Sequence, residues 1–329
     1  MSNSATNGSD EILRRLGIFF NQNEAMVQFY VSKFGNVINM KAIQEVRESY
    51  LEQLAEEQES EKGDDPVFSI MLECPCCREK EVVHWELRAS AMSIKNDPFL
   101  APVYFPIGQY RKLNYLTSAV AVCPSCLFAS PDKKDFIQFN RSTRQTSPSQ
   151  ISAGILSEIR DASVRRHKMA DLIKAPLNFS HSPRPLPLAV LSYQLAEDRA
   201  RIEEESKNPF AIYKRASYWT RIALLQRQAR QDDHEALENA LQFFKEAFFR
   251  SDFPNANLEF QSCFIIFSIY LRFGLVKEAR EYIGVIEQSR KQVAERNDPA
   301  ALRALDQWLG MAKARWEDKD NPNLWDLPK

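Results

Sequence analysis

Two short cysteine turns, Cys74-Pro75-Cys76-Cys77 and Cys123-Pro124-Ser125-Cys126, constrain what this chain can fold into more than any other feature. Each is a Cys-x-x-Cys turn, and together they hold five of the six cysteines. Such a turn offers two thiolates to one ion from neighbouring backbone positions, and two turns complete the tetrahedral four-sulfur shell that suits zinc. The spacing therefore predicts a structural Zn2+ site with Cys74, Cys77, Cys123 and Cys126 as ligands. The long interval between the turns, residues 78–122, requires a sizeable loop or small sheet to bring the second turn back to the first. A redox dithiol is the competing reading of one Cys-x-x-Cys, and the presence of two pairs argues against it. Cys76 is left as an extra thiol, expected to be an exposed spectator.

Clustered cysteines with a lone Cys263 in an apolar run suit a reducing compartment better than a secreted disulfide scaffold. The opening MSNSATNGSDEILRRLG has no apolar signal core, and no stretch reaches the roughly 18 apolar residues of a membrane span. The chain is expected to be cytoplasmic, with no membrane insertion. Lys and Arg total 43 against 44 Asp and Glu, so no global positive field points to nucleic acid. Nine glycines leave little material for phosphate cradles, and no HExxH, GxSxG or EF-hand pattern is present.

The hydrophobic pattern divides the chain into segments. Residues 1–9 are small and polar, a disordered start. Residues 10–62 read as N-terminal helices that cap the next domain, on faces such as Ile12, Leu16, Phe19 and Met26, Phe29, Tyr30, Phe34. Residues 66–140 read as a zinc-ribbon-like module with strands at Val67–Leu72, Val82–Leu87 and Leu116–Val122, and with NDPFLAPVYFPIGQY as a packed irregular loop. Residues 141–187 form a basic, Pro- and Ser-containing insert with one helix over about 149–173. Residues 188–318 read as helical hairpins, and 319–329 as a tail. In the hairpin region Ala240, Phe244, Ala247 and Tyr270, Gly274, Ala279, Ile283 match a degenerate tetratricopeptide-like pattern, in which small Ala lets two helices approach while aromatic side chains fill the gap. Trp219, Phe244, Phe264 and Leu305 are expected in the core. The fold class is α+β, mostly α.

The turns CPCC and VCPSC, the spacer residues NDPFLAPVY, the DF after the second turn and the helices AIYKRASYWTRIALLQRQ and ALENALQFFKEAF together resemble a bacterial family, domain-of-unknown-function family 2225. The resemblance covers roughly residues 66–255 and puts its paired cysteines on Cys74, Cys77, Cys123 and Cys126. Where the family has glycine after each turn, this chain has Arg78 and Leu127. The resemblance implies no activity.

Two sharper readings compete with a structural role. His84-Trp85-Glu86 followed by Cys123-x-x-Cys126 has the outline of a zinc deaminase, in which His binds metal and Glu moves protons. The proline lies inside the cysteine pair rather than before it, and Cys74 and Cys77 would have no role. The simpler expectation is that His84 and Glu86 face solvent. The segment 141–184 carries Arg141, Arg144, Arg160, Arg165, Arg166, Lys168, Lys174 and Arg184 against three acids, a surface able to touch nucleic acid, although such runs are more often a solvated helix face. The preferred expectation is a non-enzymatic scaffold that binds a protein partner through its helical domain. A nucleic-acid-associated regulator and a metal-dependent hydrolase are the alternatives.

Overall fold

The computed structural model describes residues 63–140, 144–173, 176–208, 210–250, 256–295 and 298–328. The helices expected within 10–62 therefore lie outside the described residues. The chain divides into two compact units, Met1–Asp65 with Gln109–Lys112, and Pro66–Gly108 with Leu113–Lys329. In the first, Asp64 bridges Tyr110 in parallel, and the Asp64 N–H donates to the Gln109 carbonyl at 2.9 Å. Gly63 has φ +109°, and a Cβ there would sit 2.3 Å from the Gln109 oxygen, so only glycine fits.

The second unit carries four two-stranded antiparallel hairpins and, among the described residues, eight α-helices. The hairpins are β1 (Val67–Leu72) with β2 (Val82–Leu87), β3 (Met92–Asn96) with β4 (Pro102–Pro106), β5 (Ala121–Val122) with β6 (Ala129–Ser130), and β7 (Gln138–Asn140) with β8 (Gln145–Ser147). The first cysteine turn joins β1 to β2 and the second joins β5 to β6. Between them, the loop expected to be irregular is instead the β3–β4 hairpin. Two of its three prolines, Pro102 and Pro106, stand at the ends of β4, opposite Asn96 and Met92, where a missing N–H breaks no interior rung. The turn is held by Asp97, whose Oδ1 accepts the N–H groups of Phe99 (2.9 Å) and Ala101 (2.7 Å). The expected strand over Leu116–Val122 is shorter, with a 3-10 turn at Tyr115–Thr117 and only Ala121–Val122 paired.

The insert's helix is two helices, α1 (Ala153–Asp161) and α2 (Ser163–Asp171), broken at Ala162, whose ψ of 4° leaves the helical range. Six longer helices come next: α3 (Leu186–Glu205), α4 (Ala211–Gln228), α5 (His234–Arg250), α6 (Ala256–Arg272), α7 (Val276–Glu295) and α8 (Pro299–Glu317). Each packs against the next, and α6 also meets α8. As its nearly uniform apolar sequence requires, α6 is enclosed, with Phe260, Phe264, Ile266, Phe267 and Ile269 buried. It ends in a Schellman cap: Gly274 adopts φ +71° and the Leu275 N–H reaches back to the Tyr270 carbonyl at 2.9 Å. Asp298 caps α8 through the N–H groups of Ala300 and Ala301, with Pro299 in the first turn. Phe244, Phe264 and Leu305 are buried as expected, but Trp219 is only partly so, because its phase on α4 sets it at the rim of the core. One apolar cluster runs from Phe99, Leu116, Val122 and Leu127 through all six long helices. No described helix is long and apolar enough to cross a membrane.

Candidate metal centre

Both cysteine turns use the same backbone device. In the first, the Arg78 N–H donates to the Cys74 carbonyl at 3.0 Å and the Cys74 N–H to the Glu79 carbonyl at 2.7 Å. In the second, the Leu127 N–H donates to the Cys123 carbonyl at 3.0 Å and the Cys123 N–H to the Phe128 carbonyl at 2.8 Å. Proline after each first cysteine presets φ for the turn. The residue after each second cysteine closes it in the left-handed region, Arg78 at φ 67° and Leu127 at φ 59°. These are the positions where the resemblance places glycine, so two side chains accept a strained conformation there. Relief of that strain is a testable difference between the turns. Arg78 is exposed, and Arg78→Gly should stabilise the chain by about 0.5–1 kcal/mol in denaturant titration. Leu127 is 2% exposed, so Leu127→Gly should instead cost about 2 kcal/mol despite the same backbone region.

The turns bring together the four cysteines named from spacing. Every Sγ of Cys74, Cys77, Cys123 and Cys126 lies within 4.8 Å of the other three, and the four can hold a metal ion. Cys74 and Cys126 sulfurs are 3.5 Å apart, and those of Cys77 and Cys123 3.4 Å. These separations are far beyond the ~2.05 Å of a disulfide. They approach the ~3.8 Å edge of a tetrahedron with metal–sulfur distances of ~2.3 Å. All six cysteines are free thiols.

The support around the sulfurs comes from residues whose roles their spacing does not disclose. The Ser125 hydroxyl donates to Glu79 Oε2 at 2.7 Å, tying one turn to the other and lowering the Glu79 carboxyl below its ordinary range. Arg166, fully buried, directs Nε and Nη2 at the Cys126 carbonyl (3.1 and 3.0 Å) and Nη1 at the Ile159 carbonyl (2.7 Å). Arg160 Nε reaches the Cys76 carbonyl at 3.2 Å. Arg165 pairs with Asp198 at 2.6 Å, and buried Arg184 binds the carbonyls of Phe179 and Val120. Of the insert's cations, Arg166 and Arg184 are thus spent inside the protein, whereas Arg144, Arg160, Arg165 and Lys168 remain exposed. The DF after the second turn is also structural. Asp135 pairs with buried Arg199 on α3, and Phe136 meets Phe128 edge-on at 5.0 Å.

Cys76 is not an exposed spectator. It is 5% exposed and packs with Ile159 and Leu156 of α1, its thiol 3.9 Å from the Leu156 carbonyl. Nor does His84 face solvent. It is 4% exposed, its burial lowers its affinity for a proton, and its nearest carboxylate is Glu86 at 3.9 Å, which itself binds Lys133. The alternation of β2 turns His84 inward, and His84 does not belong to the group of four cysteines that could hold a metal.

Hydrogen bonding among the thiols sets their proton affinities. Bonds from Cys123, Cys74 and Cys76 hold Cys126 well below the ordinary thiol range. Bonds to Cys123 and Cys126 push Cys74 above it, and the bond to Cys126, with burial, pushes Cys123 above it and Cys76 up to about 12. The cluster therefore keeps the Cys126 thiolate readily and resists those of Cys74, Cys76 and Cys123, as closely spaced like charges require.

A family model described as an uncharacterized protein conserved in bacteria (DUF2225) matches residues 68–311. Neither a curated protein nor a solved structure matches the chain. With the paired cysteine turns and the helices from α1 to α7 wholly inside the matched span, the chain belongs to this family of uncharacterized bacterial proteins, DUF2225.

Proposed function

We propose that Cys74, Cys77, Cys123 and Cys126 hold one structural Zn2+ and that the protein is a cytoplasmic, non-enzymatic scaffold whose tetratricopeptide-like helices bind another protein. The observation that carries this reading is the four-sulfur cluster at the tips of two hairpins. Four sulfurs fill a tetrahedral shell, whereas catalytic zinc keeps one position for water or substrate. Four thiolates around one divalent ion leave a net negative charge, and the guanidinium groups of Arg160 and Arg166 against the turn carbonyls offset it. Each helix from α3 to α8 lies on its neighbour, the arrangement in which stacked hairpins line a peptide groove.

Loading zinc should release at least two protons, those held on Cys74 and Cys123 by their raised proton affinity. Calorimetric titration of the reduced apoprotein in two buffers of different ionisation enthalpy measures that number, and apparent affinity should rise with pH. The scaffold reading is tested by isolating the endogenous full-length protein and cross-linking whatever copurifies. A stoichiometric protein joined to α3–α8 supports it. Nucleic acid bound with a steep salt dependence, or amine hydrolysis lost in Glu86→Gln, would replace it.

A further inference from the structure

Strands β1 and β7 start as neighbours and then part. Glu73 and Ile137 exchange both main-chain bonds, at 3.0 and 2.9 Å, as a closely spaced antiparallel pair. The two-residue alternation of a strand puts the N–H and C=O groups of Met71 and Ser69 on the same edge as those of Glu73, and those of Phe139 on the same edge as Ile137. Continued pairing would set Met71 against Phe139. Phe139 faces Thr146 of β8 across the other edge of β7, and no β1–β7 rung extends the bridge among the described residues. The parting edges enclose a cleft of about 720 Å³ lined by Ser69, Met71, Glu73, Lys80, Phe139 and Thr146. Met71 is 49% exposed and Phe139 60%. Glu73 is paired with Arg78 at 2.9 Å, which leaves Lys80 as the uncompensated cation of the cleft among the described residues.

We propose that this cleft takes an extended segment of a partner protein by strand addition, an apolar side chain meeting Met71 and Phe139 and a carboxylate meeting Lys80. Outward-facing main-chain donors and acceptors are matched in register by another extended main chain, and the charge of Lys80 selects an acidic one. The proposal shares with the scaffold reading only that a protein is bound; it places the contact on the ribbon, so either can fail alone.

The test is selection of a random 12-residue peptide-display library on the full-length chain, with hydrogen exchange of the chain then measured with each selected peptide. Selected peptides should alternate apolar residues with Asp or Glu and slow exchange at Ser69, Met71 and Phe139. Met71→Pro removes an outward N–H at an edge position that tolerates proline, and should weaken binding about 10-fold. Lys80→Glu, which touches no main-chain group, should weaken it several-fold and keeps the test valid if the proline variant does not fold. The proposal is overturned if no peptide is selected, or if protection falls on α3–α8 instead. It is equally overturned if Ser69 and Met71 are already protected in the free chain, whether at every concentration, through a segment of residues 1–62, or only at high concentration, through a second copy.

Discussion

Cys123→Ser should strip the metal from the chain and remove much of the roughly 10–16 kcal/mol that a structural zinc site contributes. Serine offers a hard, protonated oxygen where the shell needs a soft thiolate. Cys123 is fully buried, and its sulfur is 3.4 Å from that of Cys77. The β5–β6 hairpin has only two paired residues on each strand, too few to hold its register without the ion. Elemental analysis should show zinc falling from about one per chain to near zero, with the melting temperature dropping steeply. Cys76→Ser is the control. Its thiol packs under α1 outside the four ligands, so metal content should be unchanged and the cost about 1 kcal/mol.

Phe244→Ala should cost about 3–5 kcal/mol in denaturant unfolding. Phe244 is 1% exposed, meets Tyr213 edge-on at 5.7 Å, and lies in the cluster that also contains Leu127 and Val122 of the second cysteine turn and its hairpin. Truncation leaves a cavity between α4 and α5 that neighbouring backbone cannot collapse to fill. The zinc should stay bound throughout the native baseline, because no ligand touches the cavity. A stability change within error would mean that α5 is wrongly phased.

The cysteine cluster was legible because a local motif carried it. Two thiols three residues apart announce themselves whatever the fold does between them. The enclosed α6 and its stop at Gly274 were legible for a similar reason, since an apolar run and a left-handed glycine are both written in neighbouring residues. What stayed hidden depends on partners distant in sequence. Arg166 and Arg184 read as surface cations until the carbonyls of Cys126 and Val120 are seen beside them. His84 looked solvent-facing because a six-residue strand has two possible phases, and only its pairing with β1 fixes which side is covered. The β3–β4 hairpin was masked by prolines that stand at the strand's ends, and by Asp97, whose second oxygen binds Arg227 on α4 at 3.1 Å. Burial pushes the Asp97 carboxyl up, against the pull of Arg227 and of the turn's N–H groups.

The central claim is the zinc site, and sulfur coordination of the purified full-length protein tests it most directly. Elemental analysis combined with X-ray absorption at the zinc edge should find one zinc per chain with four sulfur neighbours at ~2.3 Å and no nitrogen or oxygen among them. A shell with a light-atom ligand would contradict the closed structural site, as would a metal-free protein carrying Cys74–Cys77 and Cys123–Cys126 disulfides under reducing conditions.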